Sequence, residues 1–140
     1  MSKLLNYRIF ISGHNGMLGS SVLRILNKKK FKNILFINKS KLDLRKEKSV
    51  DNYIFKHKPE IIINCASVVG GIQINTKEPV KFLNDNVKIS SNLINAAFKY
   101  KVKYFINLGA TCMYPKNSKQ PMHVDDIFNG LPELTNEAYA

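Results

Sequence analysis

The stretch Arg8-Ile9-Phe10-Ile11-Ser12-Gly13-His14-Asn15-Gly16-Met17-Leu18-Gly19 decides the fold. An apolar run enters a glycine-rich turn, and apolar residues then recur at helical spacing through Leu18, Val22, Ile25 and Leu26. This is the pattern of a strand, a tight turn and a helix. Gly13, Gly16 and Gly19 have distinct steric tasks in such a unit. They turn the chain off the strand, let its backbone approach a phosphate group, and bring the helix close to the sheet. Free N–H groups at the start of the helix then face an anion, so the unit predicts a dinucleotide pyrophosphate. Taken alone, the same spacing also describes a glycine turn that holds nothing.

Outward from this unit, the chain reads as an alternation of strands and helices. Asn33 to Asn38 is a continuous apolar run, as expected of a parallel strand covered on both faces. Leu42-Asp43-Leu44 reads as a very short third strand. A helix through Val50, Tyr53 and Ile54 must stop at Pro59. Glu60 to Cys65 is the next buried strand, and Ala66 begins a small-residue segment over which a cofactor could lie. A long helix is predicted from about Pro79 to Tyr100, with two apolar stripes. One contains Val80, Leu83, Val87, Ile94 and Phe98; the other contains Phe82, Ile89, Leu93, Ala96 and Tyr100. One stripe can cover the sheet, and the other is a candidate face for a partner helix or part of a wide amphipathic surface. Lys103 to Gly109 is the last clear strand, followed by a segment broken by Pro115, Pro121, Gly130 and Pro132. Five strands alternating with helices predict an α/β, Rossmann-type, doubly wound parallel sheet in the order 3-2-1-4-5, with helices on both faces.

Composition narrows the function classes. The chain has 140 residues, of which 44% are hydrophobic, with no apolar run approaching the ~20 residues of a membrane span. One soluble domain is therefore expected, without a membrane partner. Met1-Ser2-Lys3-Leu4-Leu5 turns polar immediately, which predicts no signal peptide. Cys65 and Cys112 lie apart without metal-ligand spacing; reduced thiols, a cytoplasmic setting and no metal follow as expectations. The net charge of +12 comes from 22 Lys and Arg against 10 Asp and Glu. Because the lysines interleave with apolar positions and no aromatic RNA-stacking motif accompanies them, a solvated lysine-rich surface is expected rather than nucleic-acid binding.

At the end of the second strand, where an acidic residue would bond a ribose 2′-hydroxyl, the chain has Asn38, Lys39, Ser40 and Lys41. Without a carboxylate there, NADP is favoured over NAD. The alternative is two further surface lysines. These patterns give Gly13, Gly16, Gly19, Lys39 and Ala66 as cofactor-binding residues, and a family resemblance carried by further segments adds Asn15, Met17, Leu18, Asp43, Leu44 and Leu108 to the expected set.

Five segments together resemble the GDP-L-fucose synthases, a group of extended short-chain dehydrogenase/reductases. They are the glycine turn, Val69-Gly70-Gly71-Ile72, Leu108 to Pro115, Lys119-Gln120-Pro121-Met122 and Asn136-Glu137-Ala138-Tyr139. The resemblance implies an NADPH-dependent enzyme that epimerises GDP-4-keto-6-deoxy-D-mannose beside its ketone and then reduces that ketone. It makes Cys112 an acid–base residue of the epimerisation and Tyr139 the proton donor of the reduction, and it sets Lys39 on the 2′-phosphate of NADPH. It also implies a homodimer through a helix bundle, paired by the stripe led by Phe82, Ile89 and Leu93. Three departures accompany it: Asn15 stands where arginine is common, Ala110 where a serine would orient the reacting oxygen, and the lysine four residues beyond the tyrosine is not among these residues. Thr111 is the hydroxyl adjacent to Ala110 and completes the catalytic set, although a neighbour on an extended chain points the other way. His14 is expected to shape the glycine turn, and His57 and His123 to be surface residues. The 140 residues are expected to form the cofactor-binding portion of a longer enzyme, without its substrate domain and inactive alone. Another nucleotide-sugar epimerase or dehydratase, or a non-catalytic dinucleotide-binding domain, are the alternatives.

Overall fold

A computed structural model describes residues 4–140. Four strands form one parallel sheet: β1 (Arg8–Ser12), β2 (Asn33–Phe36), β3 (Ile61–Asn64) and β4 (Tyr104–Asn107), in the order β2-β1-β3-β4. The register aligns Ile9 with Ile34 and Ile61, and Ile61 with Tyr104. β1 and β3 are central, which explains their unbroken apolar sequences: Ile9, Phe10, Ile11 and Ile62 are all buried. β2 and β4 are the edges and remain largely accessible.

The helices are α1 (Met17–Lys28), α2 (Glu47–His57), the short α3 (Ile72–Lys77) and α4 (Pro79–Lys99). Val22, Leu23 and Leu26 of α1 pack on Ile9, Ile11 and Ile61, which point to one face of the sheet. Phe10 points to the other face, where its ring meets Tyr53 of α2 at 4.9 Å between centroids. Fully buried Val50 and Ile54 anchor the same helix. α4 lies beside α2: Asn92 donates to the Leu44 carbonyl at 2.8 Å, and Lys99 and Tyr100 both reach the Asp51 carboxylate. Helices thus cover both faces. The chain divides into two compact units, one comprising residues up to Ser67 with Val87–Leu108, the other Val68–Asn86 with Gly109–Ala140.

Two expectations require correction. Leu42-Asp43-Leu44 forms no strand. The N–H groups of Lys41 and Leu42 turn back to the Asn38 carbonyl at 2.9 and 3.0 Å, and Lys46 N–H bonds the Asp43 carbonyl. With those groups committed to turns, no ladder forms, and buried Leu42 serves as an anchor instead. The fifth strand of the expected order is therefore absent among the described residues, while the remaining order agrees. The stripes of the long helix are also reversed. Phe82, Ile89, Leu93 and Ala96 are buried, whereas Val80, Leu83, Val87, Ile94 and Phe98 are exposed, Phe98 at 88%. Periodicity identifies two apolar faces but not which one meets the core. Asn92 and Lys99 flank the buried stripe and bond partners on the α2 side.

Candidate functional site

The glycine turn lies between β1 and α1, at the carboxyl end of the central strand and beside the boundary between β1 and β3 where the strand order reverses. Ligands of open α/β sheets bind at such a boundary. Gly13 adopts φ +70°, and a Cβ there would come within 2.7 Å of the Ala66 backbone. A Cβ on Gly19 would fall onto the Gly13 carbonyl and within 2.8 Å of the His14 Cα. Both glycines are therefore required by backbone approach. Gly16 caps α1 without a side-chain hydrogen bond, so no side chain of the cap satisfies the N–H groups at the helix start. Met17 and Leu18 are exposed at this end. Helix start and turn together form a preorganised anion cradle.

His14 is buried, with its ring 4.8 Å from that of Phe36 at the end of β2. It closes the turn against the neighbouring strand, as expected. Asn15 Nδ2 donates to Asn38 Oδ1 at 2.9 Å, bridging the turn to the residues that follow β2. Sequence reasoning missed Asn38 as a partner; the available signal was a neutral amide where a carboxylate or a cation would discriminate between cofactors. Lys39 is exposed next to it.

Asp43 has a local partner. Its carboxylate accepts from the Arg45 N–H and Nε at 3.0 Å and from Nη2 at 2.8 Å. These bonds, led by the Arg45 side chain, lower its pKa from 3.8 to about 2. The folded-state value is depressed, so the contribution to stability is present above about pH 3.8 and is lost as pH falls through about 2. Acid unfolding should steepen over that window. Asp43→Asn should flatten it and cost roughly 1 kcal/mol near neutral pH, measured by urea unfolding across pH; an unchanged acid profile would show that the pair adds nothing.

A second feature absent from the expected set is a polar ladder at the carboxyl ends of three strands. Ser12 Oγ donates to Asn64 Oδ1 at 2.6 Å, and Asn64 Nδ2 donates to Asn107 Oδ1 at 2.7 Å. These residues share one register, Ser12 with Asn64 and Asn64 with Asn107. The same Asn64 oxygen receives the Ala66 N–H at 3.1 Å, and its carbonyl receives the Leu108 N–H. Two sequence-predicted positions, Ala66 and Leu108, are thus fixed by Asn64. Its trace in the sequence is slight: β1, β3 and β4 each end on a polar residue, Ser12, Asn64 and Asn107, with nothing local to join them. Cys65, half-buried against the Ile9–Ile11–Ile61 cluster, has its thiol pKa pushed up by burial and is a core residue, as expected.

The expected catalytic residues belong to the second unit. Thr111 and Cys112 lie in a single 3-10 turn, Thr111–Met113, entered from extended Ala110. Thr111 is exposed and Cys112 half-buried. Tyr139 is half-buried in a turn after the Leu134–Asn136 helix. His57 stacks on Tyr53, and exposed His123 opens the Val124–Phe128 turn in a capping box with Asp126. Among the described residues no cluster of His, Cys, Asp or Glu could hold a metal ion.

The sheet order, crossovers and glycine cradle define a Rossmann-type fold built for a dinucleotide. Residues 9–140 match the NAD dependent epimerase/dehydratase family, and the chain belongs to that family. It is 39% identical over 133 residues to a GDP-L-colitose synthase from Yersinia pseudotuberculosis, covering 95% of this chain and 43% of that protein. It is 37% identical to a putative GDP-L-fucose synthase from Arabidopsis thaliana, covering 95% and 40% respectively. Among solved structures, a GDP-mannoheptose C4 reductase from Campylobacter jejuni with NADP bound superposes with a TM-score of 0.90 at 29% identity, covering 96% of this chain and 43% of that one. The chain therefore spans about two fifths of the length of the curated relatives it matches.

Proposed function

We propose that these residues are the NADP-binding portion of an epimerase/reductase that acts on a GDP-linked 4-keto-6-deoxy sugar, with GDP-4-keto-6-deoxy-D-mannose as substrate and GDP-L-fucose as product. The observation that carries this reading is the glycine cradle, in which Gly13 packs on Ala66 and Gly19 on Gly13, facing a second-strand end that offers Lys39 and no carboxylate. The names of the relatives, a fucose synthase and a colitose synthase, support a GDP-sugar. The bound NADP of the heptose reductase supports the cofactor.

In this reading the cradle N–H groups bind the pyrophosphate, Asn15 and Asn38 flank the ribose, and Lys39 pairs with the 2′-phosphate. Ala66 and Leu108, positioned by Asn64, border the cofactor, as do Asp43 and Leu44. Bound there, NADPH would supply the hydride for the ketone; Tyr139 would hold the proton for the carbonyl oxygen and Cys112 the proton exchanged at the carbon beside it. Thr111 supplies the hydroxyl of this turn in place of the side chain that Ala110 lacks. The protein is a cytoplasmic enzyme that pairs with a second copy through the exposed α4 stripe of Val87, Ile94 and Phe98. A large apolar stripe left in water is a liability that pairing removes.

Calorimetry with NADPH and NADH tests the cofactor assignment. A charge-assisted bond from Lys39 contributes roughly 1.5–3 kcal/mol, about ten- to a hundredfold in affinity. NADPH should bind more tightly by that factor, and Lys39→Ala should abolish the preference while leaving NADH binding unchanged. Equal affinities in the unsubstituted protein would overturn the NADP assignment.

A further inference from the structure

Lysines that alternate with apolar residues along the chain are gathered by the fold at one end of the sheet. All four strands run parallel, so the connections that follow α1, α2 and α4 emerge together at the end where the strands begin. The first connection carries Lys29, Lys30 and Lys32 directly after Lys28. The second brings Lys58 and the third Lys101 and Lys103, and Arg8 opens β1, which lies between the strands that the first and second connections enter. Backbone bonds knit these segments: Arg8 Nε donates to the Lys58 carbonyl at 2.8 Å, and Lys103 N–H to the Glu60 carbonyl at 2.9 Å. Glu60 is the one carboxylate in these connections, and it is held by Lys103 at 2.8 Å. Among the described residues no ion pair engages Lys30, Lys58 or Lys101.

Those three lysines share an unusual backbone. Lys30, Lys58 and Lys101 each follow a helix and have φ of +62°, +45° and +55°. Glycine or asparagine is favoured at such a left-handed helix end. Lysine occupies all three against that preference, each at the end of the sheet where the strands begin. Between the second and third connections lies a cleft of about 240 Å³, bordered by Arg8, Lys58, Lys101 and Lys103, by Pro59 and the Lys103-paired Glu60, and by the rings of Phe55 and Tyr100. The two ring centroids are 5.6 Å apart; Tyr100 is half-buried, with its hydroxyl donating to Asp51 Oδ2 at 2.8 Å and Lys99 over its ring, whereas Phe55 is 57% exposed.

We infer that this end of the fold is a docking surface for single-stranded nucleic acid, with backbone phosphates on the lysines and a base laid against the exposed ring of Phe55. The charge would suit any polyanion. The exposed Phe55 ring inside the basic cleft favours one that carries planar bases, since stacking on such a ring supplies sequence-tolerant affinity. The surface is at the opposite end of the strands from the glycine cradle, so the two anion-binding regions of this unit are separate.

Fluorescence anisotropy of a short labelled oligouridine, titrated over a range of salt concentrations, tests this. With about four phosphates engaged, log K should fall against log salt with a slope of about −2.8. Lys58→Ala with Lys101→Ala should halve the slope to about −1.4. Phe55→Ala should weaken binding roughly fivefold or more with the slope unchanged, and Phe55→Tyr should restore it. Lys48→Glu with Lys88→Glu, exposed charge changes away from this end, should have no effect, and excess NADPH should not compete. Thermal unfolding of each variant checks that it is folded. Absence of binding at low salt would overturn the inference, as would equal loss in the Lys48/Lys88 variant or competition by NADPH. Tight binding to heparin or to phosphatidylserine vesicles with no effect of Phe55→Ala would also overturn it, making the surface a general polyanion or membrane contact.

Discussion

Gly19→Ala should abolish cofactor binding, weakening NADPH affinity at least about a hundredfold, or roughly 2.7 kcal/mol. Intrinsic propensity points the other way, because alanine is better than glycine inside a helix by about 1 kcal/mol. Sterics decide the outcome. The added methyl would fall onto the Gly13 carbonyl, with the Gly13 carbon 2.7 Å and the His14 Cα 2.8 Å away. All three are backbone atoms in a turn fixed against Ala66, so none can rotate aside. α1 must instead withdraw, taking the N–H groups of its first turn away from the pyrophosphate. Several charge-assisted hydrogen bonds, each worth roughly 1.5–3 kcal/mol, weaken together. Gly16→Ala provides the graded comparison, since its methyl would sit 3.3 Å from the same carbonyl, a distance that small relaxation can absorb. It should reduce affinity far less. Calorimetry with NADPH, alongside thermal unfolding, separates lost binding from lost fold. A folded Gly19→Ala protein that binds NADPH within threefold of the parent would show that the cradle is not the pyrophosphate site.

The parts of this architecture that were legible in the sequence share a physical origin. A central parallel strand must be apolar on both faces, so Arg8-Ile9-Phe10-Ile11 and Ile61-Ile62-Ile63 read as strands without further context. The tight turn at Gly13 and the close helix approach at Gly19 were legible because backbone contact leaves no room for any other residue there. Where several residues compete for the same groups, local pattern was insufficient. Leu42-Asp43-Leu44 alternates as a strand does, yet Asn38 and Asp43 capture the backbone first. The Asn15–Asn38 bridge and the Ser12–Asn64–Asn107 ladder join residues up to 52 positions apart. Each member looks like an ordinary polar residue until the register brings them together. The basic end of the sheet was illegible for the same reason: three separate lysine-bearing segments become one surface only when parallel topology aligns the helix ends. Thr111, Cys112 and Tyr139 were singled out by resemblance alone, because a hydroxyl, a thiol and a phenol scattered through a proline-rich segment carry no pattern of their own.

The two faces of α4 lead to the other large effect. Leu93→Glu should unfold the protein, whereas Phe98→Glu should leave the fold intact and break the proposed pairing of two copies. Leu93 is fully buried, with Ile89, Ala96 and Ala97 buried on the same helix. A carboxylate there would lose its hydration and find no cation in an apolar setting. Such a buried unpaired charge, added to the lost leucine packing, costs more than about 4 kcal/mol. That is a large share of the roughly 5–15 kcal/mol that stabilises a domain. Phe98, at 88% exposure, contributes little to the monomer, and replacing it should change stability by no more than about 0.5 kcal/mol. In a pair, however, Phe98 and Ile94 would face their counterparts, and two glutamates brought together across a two-fold axis repel. Light scattering should therefore show a dimer for the parent and a monomer for Phe98→Glu, with superimposable unfolding curves when both are measured below the dissociation concentration. Leu93→Glu should show no cooperative transition at all. A folded, monomeric Leu93→Glu protein would mean that the helix faces are the reverse of those in this structure, and a dimeric Phe98→Glu protein would move the pairing surface off α4.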